Sequence, residues 1–408
     1  MTDRRPGVAP DASFSIARLP RIELGRGRIV RLPGIVAGLG RRALLVTGAR
    51  SFRETPRWQW LLEALRAAGV ATEDLVVTGE PSPDVVDRAV SMFGDNRIDV
   101  VVGIGGGSVL DAAKAIAGLV KTGHFVLDHL EIVGRGLPYE GPAVPFVAVP
   151  TTAGTGSEAT KNAVLSVRGP GGFKRSFRDD RLVAALAVID PDLLDSCPRP
   201  LVAADGMDAM TQLLEAYVST GAGQFTDALA LAGLEAARDS LVPWYEAGPA
   251  AGDASAPFRE GMAFASLASG ICLAHAGLGV VHGLAAPLGG ALPIPHGAAC
   301  GAVVAPATIV NLRAIEARHP DGPALARYAR AGRVLLDDSG LADGAARAGL
   351  VRLLEDWTSR LELSRLGAYG LTAAEIPTIV AGSRGGSMRT NPLPLEDEEL
   401  EEILAAAL

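Results

Sequence analysis

The first half of the chain alternates short apolar runs with segments of helical period. The apolar runs lie at 42–47, 73–77, 99–104 and 145–149, and the helical patterns lie at 58–68, 84–93 and 108–120. Runs that are apolar on both faces are typical of strands that helices cover on both sides. The alternation therefore predicts an α/β domain built on a mainly parallel, doubly wound sheet.

The second half has a different pattern. After Pro191, long segments rich in alanine, leucine and glutamate repeat their apolar residues with a period of about 3.6. They predict helices at 203–219, 225–236, 258–276, 323–335, 342–361 and 396–408, with a flexible loop at 246–257. A chain of 408 residues is long enough for two cores. We expect an α/β domain over 1–195 and an all-helical domain over 196–408.

Charge and apolar patterning bear on the kind of partner. The formal net charge of −8 leaves no basic field for a nucleic acid or an anionic membrane. The most apolar stretch, 271–295, is long enough to raise the question of a membrane helix. It contains His275 and His282 and is broken by glycine and proline, so we interpret it as buried core. The partner expected is a small molecule.

Cysteine usage and the first residues bear on location. Cys197, Cys272 and Cys300 are widely spaced, odd in number and form no C-x-x-C pair, which argues against a disulfide framework. The first twenty residues lack the apolar segment of a signal peptide. We expect a cytoplasmic protein.

A glycine-rich segment follows the apolar run at 99–104. Gly105, Gly106, Gly107 and Ser108 lead directly into the helical pattern at 108–120. Glycines let a ligand approach the backbone, and a helix N-terminus offers free N–H groups to a pyrophosphate. Taken alone, such a segment is equally a tight turn.

A second loop strengthens the phosphate interpretation. Residues 149–160 follow another apolar run and contain Thr151, Thr152, Thr155 and Ser157. If both runs are strands of one sheet, the two loops lie side by side. The hydroxyls would then face the ribose and nicotinamide of a dinucleotide.

Several motifs together resemble the iron-containing (group III) alcohol dehydrogenases, which have the dehydroquinate-synthase-like fold. These are GGGSVLDAAK at 105–114, PSP at 81–83, PTTAGTGSE at 150–158, VIDP at 188–191, GMDA at 206–209 and the spaced His-Gly pairs. The resemblance implies an N-terminal nucleotide-binding domain, a helical metal-binding domain and an active site between them. It also implies that Gly106, Gly107 and Ser108 contact the pyrophosphate, that Asp111 supports this loop, and that Thr151 and Thr152 face the nicotinamide. A homodimer or higher homo-oligomer is expected.

The same resemblance implies a divalent metal held by one aspartate and three histidines. Asp208, His282 and His296 match, but Gln212 stands where the first histidine is expected. Asp208 and Gln212 are four residues apart on one helix face. One carboxylate and two imidazoles can still hold Fe²⁺ or Zn²⁺, and a carboxamide oxygen is a weak donor, so weak metal binding is expected. The bland alternative is that both histidines only pack in the core.

Two further positions bear on catalysis. Some relatives have another histidine four residues after the one matching His282, where this chain has Ala286, so that proton relay is absent. If one continuous helix covers the region, His275 lies on the same face as His282, because the two are seven residues apart. His282 and His275 are therefore the expected catalytic residues.

The turn after the first long apolar run indicates the cofactor. A carboxylate at this place in dinucleotide folds binds the adenosine ribose and repels the extra phosphate of NADP. The turn here contains Gly48, Arg50 and Ser51 and no acid. Gly48 leaves room for a phosphate, while Arg50 and Ser51 can bind it, so we expect NADPH to be accepted at least as well as NADH. The alternative is a simple tight turn with a solvated arginine.

The function that the resemblance implies is hydride transfer between nicotinamide and a small alcohol or aldehyde, with a metal polarising the substrate oxygen. Gln212 keeps open a metal-independent reductase similar to the maleylacetate reductases. A dehydroquinate-synthase-like cyclase would need several basic residues around a phosphate, and only Lys161, Lys174 and Arg175 are candidates. A non-catalytic assembly partner is the remaining alternative.

Overall fold

The computed structural model describes residues 14–94, 97–167, 169 and 172–408. The first half contains a six-stranded sheet in which every pair of neighbours is parallel. In the order β1-β8-β5-β4-β2-β3, its strands are β1 (Arg21–Leu24), β8 (Leu186–Ile189), β5 (Phe146–Pro150), β4 (Val100–Gly105), β2 (Arg42–Gly48) and β3 (Ala71–Val77). The parallel sheet is the one that the apolar runs predict.

Four helices cover this sheet on its two faces. They are α1 (Leu32–Leu39), α2 (Pro56–Ala67), α3 (Pro83–Phe93) and α4 (Gly107–Leu119). Side chains of α1 and α2 pack with Leu45 and Val102 on one face, whereas those of α3 and α4 pack with Leu44 and Val101 on the other. The doubly wound arrangement is thereby confirmed. An antiparallel hairpin of β6 (Asn162–Val167) and β7 (Phe173–Arg178), which the sequence pattern did not reveal, packs against α4.

The described residues after 198 form helices and no strand. Nine α-helices follow one another: α5 (Arg199–Val218), α6 (Gln224–Ala247), α7 (Ala256–Ala276), α8 (Val280–Ala291), α9 (His296–Arg318), α10 (Pro323–Leu335), α11 (Asp343–Arg360), α12 (Ile376–Ala381) and α13 (Asp397–Ala407). Six of them were expected, while α8, α9 and α12 were not. The sheet ends at Ile189 and α5 begins at Arg199. The division near residue 195 falls between them and stays a prediction.

The segment 246–257, expected as a flexible loop, has local helical structure. Residues Pro249–Ser255 form 3₁₀ turns that are interrupted at Gly252, whose φ is 54°, and that lead into α7. The buried guanidinium of Arg259 donates hydrogen bonds to the Gly252 carbonyl at 2.8 Å and to the Ser255 hydroxyl at 2.6 Å. The segment's composition of alanine, glycine and proline could not show that Arg259, which lies outside it, would hydrogen-bond to it.

The apolar stretch at 271–295 belongs to the core, as the sequence predicts. It divides into the end of α7 and the whole of α8, which meet at an angle of 101°. Helix α9 is long and apolar enough to cross a bilayer by composition alone, but 78% of its most apolar window is buried inside the protein. Burial of this kind is typical of a core helix.

The loop after β5 lies directly against the helical half. Gly156 has a φ of 59°, and a Cβ there would lie 2.4 Å from the Cα of Gly270 in α7. A Cβ on Gly154 would lie 2.6 Å from the Cβ of Asp205 in α5. Backbone therefore packs on backbone at this junction, and no side chain fits between the two halves.

We predict that Gly270→Ala lowers the free energy of unfolding by about 2 kcal/mol or more, because the new methyl group would lie 2.2 Å from the Gly156 carbonyl oxygen. Gly344→Ala is the matched control, since Gly344 is exposed on α11 with no atom near its Cβ position. The control should raise stability by up to about 1 kcal/mol. Urea denaturation followed by circular dichroism measures both, and equal midpoints would contradict the close packing.

Candidate active site

The two glycine-containing loops lie side by side at the carboxyl ends of β4 and β5. Gly105 pairs with Pro150 in the sheet register, and the Thr151 amide donates a hydrogen bond to the Gly105 carbonyl at 3.0 Å. The chain runs from β2 outward to β3 and returns to β4 on the other side of β2. Ligands of open α/β sheets bind beside such a reversal of strand order.

The glycines are required by close packing between the loops. A Cβ on Gly106 would lie 3.2 Å from the methyl carbon of Thr152, and one on Gly107 would lie 2.8 Å from that of Thr155. A Cβ on Gly105 would lie 2.6 Å from the Val109 side chain. Because these residues are glycines and have no side chains, the N-terminal turn of α4 remains open to the adjoining cleft, as an anion site requires.

A buried lysine ties the second loop to α4. Lys114 Nζ donates hydrogen bonds to the carbonyl oxygens of Ser157 at 2.8 Å and Asn162 at 2.6 Å. The Ser157 hydroxyl donates to Asp111 Oδ1 at 2.6 Å. Burial lowers the pKa of Lys114 to about 8 and raises that of Asp111. Asp111 thus supports the second loop, through Ser157, whereas the resemblance implies support of the glycine loop; that role stays a prediction.

A cleft of about 880 Å³ opens between these loops and the helical half. It brings together most of the residues expected at the site, from both halves of the chain. Those lining it are Ser51, Gly106, Gly107, Ser108, Asp111, Thr151, Thr152, Thr155, Asp208, Gln212, His282 and His296. Gly105 lies just behind the cleft wall, at the end of β4.

The turn after β2 contributes less to this cleft than expected. Ser51 lines the cleft, but Gly48 and Arg50 are not among its lining residues. The exposed Arg50 guanidinium pairs with Glu54, four residues later, at 3.1 Å. At Gly48 an added Cβ would have only an ordinary contact, 3.8 Å from Val109. There is room for a side chain at this position.

The expectation that His275 shares a helix face with His282 is wrong. Helix α7 ends at Ala276, and Gly277 has a φ of 72°, so the chain turns sharply before α8. His275 Nδ1 donates to the Ile271 carbonyl at 2.7 Å, and the ring packs on Phe225. His275 therefore lies outside the cleft lining, because glycines interrupt the helix that the seven-residue spacing assumes.

A buried group of acids and imidazoles forms the floor of the cleft. His282 Nε2 lies 3.2 Å from Asp208 Oδ1, and His296 Nε2 lies 3.9 Å from the same oxygen. On its other side, His282 Nδ1 lies 2.7 Å from Glu215 Oε2. Glu215 also accepts a hydrogen bond from the Val281 amide at 2.7 Å, which fixes it to the start of α8.

The pKa values of Asp208, His282 and His296 indicate that a positive charge is stabilised between these side chains. Although burial opposes ionisation of Asp208, His296 and His282 hold its pKa at about 2. Burial lowers the pKa of His296 to about 4, so this imidazole is neutral at pH 7. Burial also opposes a charge on His282, yet Cys300, Asp208 and Glu215 raise its pKa well above the usual value. A proton on His282 thus occupies a place that suits a cation.

Comparison with known protein families identifies the chain. Residues 20–191 match the family model of the iron-containing alcohol dehydrogenases, and residues 202–408 match the model of the C-terminal part of the same family. The chain belongs to the iron-containing alcohol dehydrogenase family. It is an oxidoreductase, and both the resemblance seen in the sequence motifs and the fold class are confirmed.

Relatives match over nearly the whole length. Long-chain-alcohol dehydrogenase 1 of Geobacillus thermodenitrificans is 32% identical over 97% of both chains. A solved 1,3-propanediol oxidoreductase has a TM-score of 0.86 at 27% identity, covering 97% of this chain and 100% of its own. The sulfoacetaldehyde reductase of Bifidobacterium kashiwanohense, solved in complex with NAD⁺, has a TM-score of 0.81 at 26% identity, covering 97% and 99%.

The residues of the cleft floor fit the metal that the iron-containing family name implies. Glu215 holds the Nδ1 side of His282, which leaves Nε2 facing Asp208, and such a carboxylate–imidazole pair is typical of metal-binding histidines. His296 Nδ1 is buried and has no hydrogen-bond partner among the described residues. One carboxylate and two imidazoles within about 4 Å are donors suited to a divalent cation.

Gln212 does not present its oxygen to these donors. The Ser269 hydroxyl donates a hydrogen bond to Gln212 Oε1 at 2.9 Å, while the amide of Gln212 bonds Asp208 and helps to lower its pKa. Gln212 therefore orients the carboxylate of Asp208. In this structure the amide oxygen of Gln212 is 2.9 Å from the hydroxyl of Ser269, 57 residues away, and its expected place in the metal-ligand set stays a prediction.

The sequence pattern did not predict two residues that contact His282, namely Glu215 and Cys300. Glu215 follows Asp208 by seven residues, so both lie on one face of α5, and that spacing could have revealed it. Cys300 follows His296 by four residues, and its sulfur lies 3.8 Å from His282 Nε2. The sequence pattern placed Cys300 only among the cysteines without a disulfide.

The cleft also has more basic residues than the sequence indicated. Lys161, Lys174 and Arg175 line it as expected, and Arg178 and Arg389 join them. Arg389 belongs to a segment at 382–389 whose lining role had no signal in the sequence pattern. Its residues Gly382, Ser383, Gly385, Gly386, Ser387 and Arg389 all face the cleft.

We predict that Glu215→Gln weakens Zn²⁺ binding by about 10–100-fold, because the variant loses the carboxylate that orients His282 and increases its basicity. Competition with a chromophoric chelator measures the dissociation constant. Glu235→Gln, an exposed change on α6, serves as the control and should leave the constant unchanged. Equal affinities for the two variants would show that Glu215 has no part in a metal site.

Proposed function

We propose that the enzyme transfers hydride between a nicotinamide dinucleotide and a small alcohol or aldehyde. One observation carries the proposal: the open N-terminal turn of α4 and the cluster of Asp208, His282 and His296 line the same cleft. A divalent cation held by those three side chains would polarise a substrate oxygen as a Lewis acid.

The chain's own residues would perform the remaining work. Gly106, Gly107 and Ser108 bind the pyrophosphate at the start of α4, and Thr151 and Thr152 orient the nicotinamide half. The apolar lining residues Leu273, Leu278 and Pro293 exclude water around the reacting carbon. Ala286 lines the cleft. The resemblance implies a histidine there in some members of the family, so in this chain the proton that the substrate oxygen gains in aldehyde reduction, or loses in alcohol oxidation, would be exchanged with solvent without that relay.

Gln212 supports a second candidate, the metal-independent reductase similar to the maleylacetate reductases, since it replaces one imidazole donor.

The dehydroquinate-synthase-like cyclase is disfavoured, because basic residues of the cleft already form ion pairs with acidic side chains. Lys174 pairs with Glu80 at 2.7 Å, and Arg178 pairs with Glu131 at 2.9 Å. Lys161 pairs with Asp180 at 2.8 Å. Three of the five basic lining residues are compensated in this way, so the cleft attracts a phosphorylated substrate less strongly than its number of basic residues indicates.

We predict that His282→Ala abolishes bound metal and aldehyde reduction together. His275→Ala is the matched control, because His275 lies outside the cleft lining, and it should retain both. Elemental analysis after purification in zinc- or iron-containing buffer and a steady-state assay with an aldehyde panel measure the two properties. Full wild-type activity without bound metal would favour the metal-independent reductase.

We also propose that NADPH is accepted at least as well as NADH. Gly48 leaves space beside β2, and Ser51 lines the cleft, whereas Arg50 would have to leave Glu54 to reach a phosphate. Gly48→Asp should move the preference toward NADH, because a carboxylate binds the ribose hydroxyls and repels the phosphate. The ratio of kcat/KM for the two cofactors decides it; a tenfold advantage for NADH in the wild type, about 1.4 kcal/mol, contradicts the proposal.

A cytoplasmic homodimer completes the proposal. Its three cysteines are buried and unpaired, in keeping with a reducing compartment. Light scattering of the purified chain tests the oligomeric state, and a monomeric mass would contradict it.

A further inference from the structure

We propose that the thiol sulfur of Cys300 is a fourth protein donor to the metal, taking the part of the imidazole that Gln212 replaces. The inference rests on the proposed metal-dependent function and assigns a ligand to it. It makes the site one carboxylate, two imidazoles and one thiolate, and the proton of the thiol is released to solvent when the metal binds.

The first support is distance. Cys300 Sγ lies 3.8 Å from His282 Nε2 and 3.9 Å from His296 Nε2. One donor atom from each of Asp208, His282, His296 and Cys300 lies within 4.8 Å of all the others. Metal–donor bonds of about 2.0–2.3 Å at tetrahedral angles separate the donors by roughly 3.3–3.6 Å. The two sulfur–nitrogen separations exceed this by only a few tenths of an ångström.

The second support is the direction of approach. His296 is the first residue of α9, and Cys300 follows it by one helical turn, so both side chains lie on the same face. Cys300 is fully buried and is absent from the cleft lining, whereas Asp208, His282 and His296 all line it. The sulfur therefore reaches the donor set from the protein side. The cleft side remains free for a substrate oxygen.

The other two cysteines show what an ordinary buried thiol does in this fold. Cys272 Sγ donates to the Thr226 carbonyl at 3.4 Å, and Cys197 Sγ donates to the Thr151 carbonyl at 3.3 Å. Cys300 instead has two imidazole nitrogens as its polar neighbours. A thiol between two metal-ligand nitrogens is placed as a donor, not as a packing residue.

The donor chemistry agrees with the geometry. Gln212 is turned away from the place of the missing imidazole, since its oxygen lies 2.9 Å from the Ser269 hydroxyl and its amide bonds Asp208. A thiolate is a strong donor to Zn²⁺ and Co²⁺, whereas a carboxamide oxygen is a weak neutral one. This chain thus departs from the three-histidine set at one position and supplies a sulfur from another helix.

X-ray absorption spectroscopy of the Zn²⁺-loaded, full-length wild type tests the inference without any substitution. The expected result is one sulfur at about 2.3 Å with the remaining donors being nitrogen or oxygen at about 2.0–2.2 Å. A shell of nitrogen and oxygen alone overturns the role of Cys300 while leaving the proposed function intact. A protein that takes up no metal overturns both.

Variants locate the sulfur. In the Co²⁺-loaded protein, Cys300→Ser should abolish the near-ultraviolet sulfur-to-cobalt charge-transfer band and weaken Zn²⁺ binding by roughly tenfold or more. Cys272→Ser is the matched control, and Gln212→Ala tests the rival ligand; both should retain the band. Retention of the band in Cys300→Ser overturns the inference. Thermal denaturation of each metal-free variant separates loss of the ligand from loss of the fold, and a misfolded Cys300→Ser leaves the wild-type spectrum to decide.

Discussion

The close approach of backbone at Gly156 and Gly270 is the constraint on which the site depends. It sets the loop after β5 directly on α7, with a separation that no side chain tolerates. The same loop is held to α4 from the other direction by the buried ammonium of Lys114. The loop is therefore fixed to both halves of the chain, and the N-terminal end of α4 keeps a defined position relative to the helices that contribute Asp208 and His282.

Within the helical half, Glu215 joins two helices, as the loop after β5 joins the two halves of the chain. It lies on the same face of α5 as Asp208. Its carboxylate accepts hydrogen bonds from the backbone at the start of α8 and from the ring of His282. A buried carboxylate is costly unless such partners satisfy it. Two helices thereby share one hydrogen-bonded carboxylate, and the imidazole that faces the cleft is oriented by the same contacts that join the helices.

Elements with a strong local signal were predictable from sequence. The strand β4 and the glycine loop leading into α4 follow from an apolar run, three glycines and a helical period, and the structure contains each of them. Helix α9 was not found, because it is apolar on most of its surface and contains Pro306, which conceal the period. The β6–β7 hairpin was missed because β7 begins with Phe173, Lys174 and Arg175 and has no apolar alternation.

The residues of the candidate site likewise fall into those that the sequence predicts and those that it does not. Asp208, His282 and His296 were assigned through motifs, whereas Cys300 and Glu215 gain their meaning from contacts between helices far apart in sequence. The role expected for His275 failed because it assumed a helix continuing through Gly277, which has a left-handed backbone conformation. Spacing predicts which residues share a face only while the helix lasts.

If the dinucleotide and the metal share one cleft as proposed, the reacting end of the nicotinamide lies beside the cluster of Asp208, His282 and His296. Nuclear magnetic relaxation of the nicotinamide C4 proton, measured with the paramagnetic ion Mn²⁺ bound to the enzyme, tests this arrangement. We predict strong relaxation enhancement of that proton, and less for the adenine protons at the far end of the cofactor. Equal relaxation with Mn²⁺ and with diamagnetic Zn²⁺ would contradict it.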